Sequence, residues 1–256
     1  MKKQSILAFV ALLFLVLVYS IFIEPQWLEV TNYSVRAEVS FPLKIAHITD
    51  LHLKKNGRLE QRVLMEIRNQ KPDVIFVTGD SIDDPRARPV VKSFFNSLKA
   101  PLGVWVVRGN WENWNPLSEE RAFWSEAGAQ LLVNQVKKLK KDINIIGYDD
   151  EMSGKPNRQI TSVPTKDLRL CLFHSPAFFD HVYDYCDLSF SGHTHGGHFR
   201  LPFWGPLWLP PGSGKYLWGW YRRESSQMYV SRGLGNSILP LRFLARPELS
   251  FIFVSR

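Results

Sequence analysis

The chain has 256 residues, 45% of them hydrophobic, and a formal net charge of +8. That length suits one α/β domain with or without a tail, and the composition excludes a long disordered or low-complexity segment. Two cysteines do not make a disulfide framework, and no internal repeat is present.

Segment 6–23 carries no charge and, as a helix at ~1.5 Å per residue, spans about 27 Å, close to the bilayer hydrocarbon. Lys2 and Lys3 precede it, Glu24 and Glu29 follow it, and the next basic residue is Arg36. This asymmetry favours an N-terminus inside and a domain outside the cytoplasm. Residues 1–23 read as an uncleaved signal anchor or as a signal peptide cut near Ser20. Val18-Tyr19-Ser20 is a poor small-residue cleavage site and the apolar run is long, so the anchor is the expectation. Without Lys2 and Lys3 the charge falls to +6, enough to draw a tethered domain toward anionic headgroups or phosphorylated substrates. Ordinary surface solubility explains the same charge. The lysine run 137–141 reads as a solvated loop.

Residues 24–42 read as a connector to a domain over 43–256. Strand and helix signals then alternate: strand 43–49, helix 59–70, strand 73–78, helix 90–98, strand 103–107 and helix 118–127. The run DVIFVT at 73–78 has the look of a strand buried on both faces, and the order predicts a largely parallel sheet. The second half is strand-rich, with strands expected over 131–133, 143–146, 168–173, 188–191, 228–231 and 249–254. The polar stretch 152–166 reads as a surface loop. An α/β fold of two sheets packed face to face, helices outside, accommodates both halves. Cys171, inside 168–173, is expected as a buried reduced thiol.

Five of the apolar runs end in chemistry-bearing residues. They are Asp50-Leu51-His52, Gly79-Asp80, Gly109-Asn110, His174, and Gly192-His193-Thr194-His195-Gly196-Gly197. Asp50 and His52 alternate, as do His193 and His195, so on extended backbone each pair points one way from its strand end. Carboxylate, imidazole and amide oxygen together suit Mn²⁺, Fe or Zn²⁺ better than Ca²⁺. Asp80 has two oxygens and can bridge two ions. Two ions ~3.5–4 Å apart clamp a phosphoryl group for in-line attack by a bound hydroxide. A lone Gly-Asp pair is more often a turn and a lone strand-end His a satisfied polar residue. Their joint occurrence, each after a strand, predicts a dimetal site.

These residues resemble the pattern of the calcineurin-like metallophosphoesterases: D-x-H, G-D, G-N-H-[DE], a single His, then G-H-x-H. The likeness covers residues 43–198. Within that family the chain is similar to membrane-anchored bacterial phosphodiesterases, a group that includes a type of UDP-2,3-diacylglucosamine pyrophosphatase. The less specific stretches PQWLEVT at 25–31 and YVSRGLG at 229–235 carry this closer likeness. The resemblance implies Asp50, His52, Asp80 and His195 around one divalent ion. It implies Asp80, Asn110, His174 and His193 around the other, with Asp80, Asn110 and His174 central to catalysis. It also implies a four-layer α-β-β-α sandwich of two mixed sheets flanked by helices, and a place on a bacterial inner membrane.

One position departs from the pattern. The family usually has His after the Asn; here the run is Gly109-Asn110-Trp111-Glu112. An indole N–H delivers no proton at neutral pH, so an alkyl phosphoester with its strongly basic leaving group should suffer. A pyrophosphate should suffer less, and Trp111 tilts the expectation toward pyrophosphates. Trp111 can equally be a wall of the pocket, with His198 or Glu112 in the donor's place. Trp111, His198 and Arg232 are the candidate substrate contacts; Asn236 and Arg242 share the loop region of Arg232. His47 and His181 read as structural. The aromatic stretch 199–221 reads either as a Pro-stiffened hairpin packed on the core or as a lip resting in the membrane interface.

The expected function is a dimetal phosphohydrolase using two divalent ions, Mn²⁺ first and Fe or Zn²⁺ otherwise. Its substrate would be a phosphodiester or pyrophosphate of a small molecule or lipid precursor such as UDP-2,3-diacylglucosamine. The alternatives are a soluble nucleotide phosphodiesterase and a metal-binding scaffold impaired by Trp111. The membrane is an expected partner and nucleic acid is not. A UDP-linked precursor lies on the cytoplasmic side, whereas the lysines point the domain outward, so both sides stay open.

Overall fold

A computed structural model describes residues 2–160, 163–164 and 166–256. Met1 of the expected membrane segment, and Thr161, Ser162 and Thr165 of the expected loop, lie outside the described residues. Helix α1 (Lys2–Val18) runs on through a π-turn (Tyr19–Ile23) and a 3-10 turn (Glu24–Gln26). Lys3–Gln26 is thereby one apolar rod of 24 residues, long enough to cross a membrane as an anchor or a signal sequence would.

The first half of the domain contains β1 (Glu29–Arg36), β2 (Leu43–Ile48), α2 (Arg58–Gln70), β3 (Val74–Thr78), α3 (Arg88–Ser97) and β4 (Val104–Val107). Then come α4 (Asn110–Trp114), α5 (Glu120–Glu126) and β5 (Gln130–Leu131). The second half contains β6 (Gln135–Lys140), β7 (Ile143–Gly147), β8 (Leu168–Leu172), α6 (Phe179–Val182) and β9 (Leu188–Ser191). The short pair β10 (Arg200–Leu201) and β11 (Gly205–Pro206) precedes β12 (Gly219–Arg223), β13 (Ser226–Val230) and β14 (Glu248–Ser255).

Two six-stranded sheets form, in the orders β1-β14-β2-β3-β4-β5 and β12-β13-β9-β8-β7-β6. Both are mixed. In the first, β2 to β5 are parallel and β14 runs against β2. In the second, β13, β9, β8 and β7 are parallel between antiparallel edges β12 and β6. Ile45, Val74 and Phe76 of the first sheet meet Ile145, Leu170 and Phe190 of the second in the central core. Val63 and Ile67 of α2, Phe94 and Phe95 of α3, and Trp124 of α5 cover the first sheet's other face. Such double cover explains why β3 is buried throughout and reads as an unbroken apolar run. The second sheet's outer face is covered by less helix: Phe178, Phe179, Val182 and Tyr216 close it.

Three strands depart from the expected elements, all at sheet edges. The connector expected over 24–42 contains β1, which pairs in parallel with β14 from Glu29↔Glu248 to Arg36↔Ser255. The lysine run expected as a loop belongs largely to β6, with Lys137 and Lys138 exposed and Lys138 Nζ 2.9 Å from Asp167. β12 begins inside the aromatic stretch 199–221 and runs past its end. Edge strands keep a solvated side and gain from charge, so they lack the apolar run that betrays a buried strand.

Cys171, expected as a reduced thiol, forms a disulfide with Cys186, both residues buried. Pairing of β8 with β9 puts Leu170 beside Leu188, which draws the two Cα atoms to 5.8 Å across a separation of 15 residues. Closing a loop of that length stabilises by about 3 kcal/mol. Replacing both cysteines with serine should therefore lower the denaturant midpoint by a corresponding amount. Two titratable thiols in the unreduced, denatured wild type would refute the bond.

Candidate metal centre

Five parallel strands end on one side of the two sheets, and the residues following each supply the donors. Asp50 and His52 follow β2, Asp80 follows β3, and Asn110 opens α4 after β4. His174 follows β8, and His193 and His195 follow β9. The carboxyl ends of parallel strands are where α/β sheets place their ligands. All seven side chains are buried.

Convergence does not come from strand alternation, as the sequence suggested. Asp50, His52, Asp80, His193 and His195 all have left-handed backbone, with φ between 44° and 72°. The chain is turned sharply beyond β2, β3 and β9, which swings these side chains inward, whereas Asn110 and His174 carry no positive φ. Such a conformation in a non-glycine residue persists only where its surroundings over-determine it. Gly109 and Gly192 leave the required room: a Cβ there would lie 2.1 Å from Asp80 Oδ1 and 2.3 Å from Asp50 Oδ2, respectively.

Two groups result, Asp50–His52–His195 and Asp80–His174–His193, with the donor atoms of each within 4.8 Å of one another. His195 Nε2 lies 3.2 Å from Asp50 Oδ1 and 3.2 Å from His52 Nε2. His174 Nε2 lies 3.2 Å from Asp80 Oδ2 and 3.1 Å from His193 Nδ1. Asp80 stands between the groups, its Oδ2 also 3.7 Å from His52 Nε2.

The opposite ring nitrogens are tied to acceptors. His174 Nδ1 donates to the Thr78 carbonyl at 2.7 Å, His193 Nε2 donates to the Pro211 carbonyl at 2.6 Å, and His52 Nδ1 pairs with Asp83. These partners set the tautomers so that bare lone pairs face the centre, the arrangement of metal-binding histidines. Asn110 Oδ1 is buried with no hydrogen-bond partner. A cluster of anionic and neutral acceptors with an orphaned amide oxygen fits two divalent cations. Burial pulls the His174 pKa down, yet the Asp80 and Asp50 carboxylates hold it well above its ordinary value. The same negative field attracts a cation.

Glu112 has a role not read from the sequence. Its Oε2 accepts from Gly109 N at 2.8 Å and Asp80 N at 2.9 Å, and its Oε1 from Ser81 N at 2.6 Å and Ile82 N at 3.3 Å. Burial and the Asp80 carboxylate push its pKa up to about 7, against the pull of these N–H donors. A proton on Glu112 would meet only donors, so it holds the Asp80 turn and is not the missing acid. Glu three residues beyond Gly109 is a capping box with glycine at its head, a weak signature.

Trp111 donates its main-chain N–H to Asp80 Oδ1 at 3.0 Å and sets its indole edge-on to His52, 6.0 Å between ring centres. His198 stacks on His195, 4.2 Å between ring centres. Burial, with the Arg242 charge, lowers its pKa to about 3. Arg232 is drawn elsewhere, to Glu29 at 3.1 Å and Glu248 at 3.3 Å. Arg242 is fully buried, its Nη2 3.4 Å from His195 Nδ1. His47 bonds Thr78 Oγ1 at 2.8 Å inside the core, and His181 pairs with Glu151 at 3.1 Å.

A cavity of about 490 Å³ opens off Asn110, His193, His195 and His198, and its other wall is Phe199, Leu207, Trp208, Ile238 and Leu239. Stretch 199–221 divides between the two readings offered for it. Tyr216 is buried and Trp220 packs on Tyr33 and Tyr229, while Phe203, Trp204, Leu207 and Trp208 are exposed.

A family model described as calcineurin-like phosphoesterase matches residues 43–197. The metallophosphoesterase YkuE of Bacillus subtilis is 33% identical over 91% of this chain and 87% of its own. Phosphodiesterase YaeI of Escherichia coli is 26% identical over 91% of each chain. UDP-2,3-diacylglucosamine pyrophosphatase LpxG of Chlamydia trachomatis is 27% identical over 89% of each. One solved crystal structure, 13% identical, matches 74% of this chain and 90% of its own with a TM-score of 0.51, a likeness of fold.

Glu112→Gln would set an amide NH₂ against main-chain N–H groups. It should weaken Mn²⁺ binding by roughly 10- to 100-fold, the usual effect of losing a residue that orients metal ligands. Metal titration checks this, and unchanged affinity would contradict the role given to Glu112.

Proposed function

The chain belongs to the calcineurin-like phosphoesterases, metal-dependent enzymes, and on that footing we propose a membrane-seated dimetal phosphohydrolase acting on a lipid-bearing phosphodiester or pyrophosphate. The observation that carries this reading is the apolar cavity that opens directly off His193, His195 and Asn110. A soluble nucleotide has no use for a wall of Phe199, Leu207, Trp208, Ile238 and Leu239; acyl chains do. Trp208 on that wall is exposed, as is Trp204, and aromatic rings of this kind favour the membrane–water interface. The names of YaeI and LpxG, a phosphodiesterase and a lipid-precursor pyrophosphatase, support the same substrate class.

Asp50, His52, Asp80 and His195 would hold one ion and Asp80, Asn110, His174 and His193 the other, with Mn²⁺ the first choice and Fe or Zn²⁺ the others. Two such ions supply an activated water and neutralise charge gathering on the phosphoryl oxygens. The residues themselves position and exclude. Thr49 Oγ1 donates to Asp50 Oδ2 at 2.8 Å, and His193 N donates to the same carboxylate at 3.0 Å, which fixes its direction. Trp111 closes the side next to His52 without offering a proton, so a weakly basic phosphate leaving group is favoured over an alkoxide. The donors converge and none is lacking, which weighs against an impaired scaffold.

We place the domain outside the cytoplasm. The disulfide persists in an oxidising compartment, and the Lys2 and Lys3 asymmetry points the same way. Lipid phosphodiesters and pyrophosphates of the outer leaflet then come before UDP-2,3-diacylglucosamine, which remains a member of the test set.

Full-length protein in micelles with Mn²⁺ should hydrolyse a lipid pyrophosphate faster than a phosphomonoester or a water-soluble diester, and Asp80→Ala should abolish all three. Leu207→Ser with Trp208→Ser should raise KM for the lipid about tenfold, in line with losing two buried apolar contacts, and leave the soluble diester unchanged. Trp111→His should speed alkyl diester cleavage by up to about 100-fold relative to pyrophosphate. Preference for the soluble diester in the wild type would instead establish a soluble-substrate phosphodiesterase.

A further inference from the structure

The end of the N-terminal helix is connected to the Asp50–His52–His195 group through residues 232–245. The connection begins with a carbonyl released from the helix. In the π-turn, Glu24 N bonds to Tyr19 O, five residues back. In that register the partner of Ser20 O would be residue 25, which is Pro25 and has no N–H. Ser20 O instead accepts from Arg242 N at 2.9 Å. One turn further on, the buried Glu24 carboxylate accepts from Leu244 N at 2.9 Å and Ala245 N at 2.5 Å. Three main-chain donors of segment 242–245 are thus held by the helix end.

Between these anchored donors the fully buried Arg242 guanidinium spreads its own bonds. Nη1 donates to Ala245 O at 2.8 Å and Arg232 O at 3.1 Å, Nε to Asn236 Oδ1 at 3.0 Å, and Nη2 to Gly235 O at 2.6 Å. Nη2 also sits 3.4 Å from His195 Nδ1, the only metal-facing imidazole of the four whose outer nitrogen meets a cation among the described residues. Gly235 N in turn donates to Asp50 O at 2.6 Å, and Leu234 N to Thr49 O at 3.1 Å. Both Asp50 and His195 therefore rest on a segment whose far side is bonded to Ser20 and Glu24.

We infer that Glu24 is a positioning residue for the Asp50–His52–His195 group, acting through Arg242, and that this group reaches full cation affinity only while the helix end stays attached. A cut near Ser20 would remove the acceptor of Arg242 N, so the competent enzyme is the tethered one. The inference rests on the dimetal reading. Loss of the Glu24 charge and loss of its two hydrogen bonds act in the same direction, since each weakens cation binding nearby.

The test is Mn²⁺ titration of full-length protein in detergent micelles, followed by electron paramagnetic resonance. Wild type should bind two equivalents. Glu24→Gln should weaken one of them about tenfold and leave the other at wild-type affinity. Arg242→Lys keeps the charge but loses the planar fork, and should give the same split. Wild-type affinity for both equivalents in both variants would overturn the inference, and so would equal weakening of both, which marks general loosening. Fewer than two equivalents in the wild type would overturn the dimetal reading itself.

Discussion

Acceptor atoms brought face to face repel one another, and this chain concentrates seven acceptor-bearing side chains in one buried place. His52 Nε2 and His195 Nε2 lie 3.2 Å apart, with Asp50 Oδ1 3.2 Å from the latter. Everything around the centre opposes that repulsion. Strand ends deliver the side chains, left-handed turns aim them, and each turn costs about 1–3 kcal/mol that neighbours must offset. Glu112 gathers four N–H groups around the Asp80 turn, and glycines leave no Cβ where a carboxylate oxygen must sit. Cations among these lone pairs would relieve that repulsion, and the two Asp/His groups are arranged to hold them.

How much of this was legible depends on where each signal resides. The residues gathered at the centre could be read because every one follows a buried strand, and a buried strand writes itself into sequence as an apolar run. The central strands β3 and β9 accordingly match their expected spans to within a residue. β1, β6 and β12 were hidden because an edge strand owes its structure to the neighbour it pairs with, and its own residues are chosen for water. The Cys171–Cys186 bond was hidden for a similar reason: only the pairing of β8 with β9 brings residues 15 apart into contact. The convergence of Asp50 with His52 was anticipated for an insufficient reason, since alternation on a strand does not apply to left-handed backbone. Glu112 was weighed as an acid because its three-residue spacing from Gly109 says nothing of the N–H groups that Asp80, Ser81 and Ile82 would bring to it.

The face presented to substrate is chemically lopsided. On one side are hard donors fit for phosphate; on the other is a wall of Leu207, Trp208, Ile238 and Leu239. Trp111 sits at the seam, its main chain serving Asp80 and its indole facing His52. His198, stacked on His195, lines the same seam. A headgroup and its tails could be sorted to the two sides by solvation alone.

The position of β14 between β1 and β2 bears on how the protein is made. The strand that lies between them comprises residues 248–255, while its two neighbours comprise residues 29–36 and 43–48. Until β14 is in place, β1 and β2 lie a strand's width apart with their facing edges unpaired. Pairings this distant in sequence are slow to form and expose adhesive edges meanwhile. Closure of the first sheet thus waits on a pairing between residues 29–36 and 248–255, and a chaperone that shields strand edges would act in that interval.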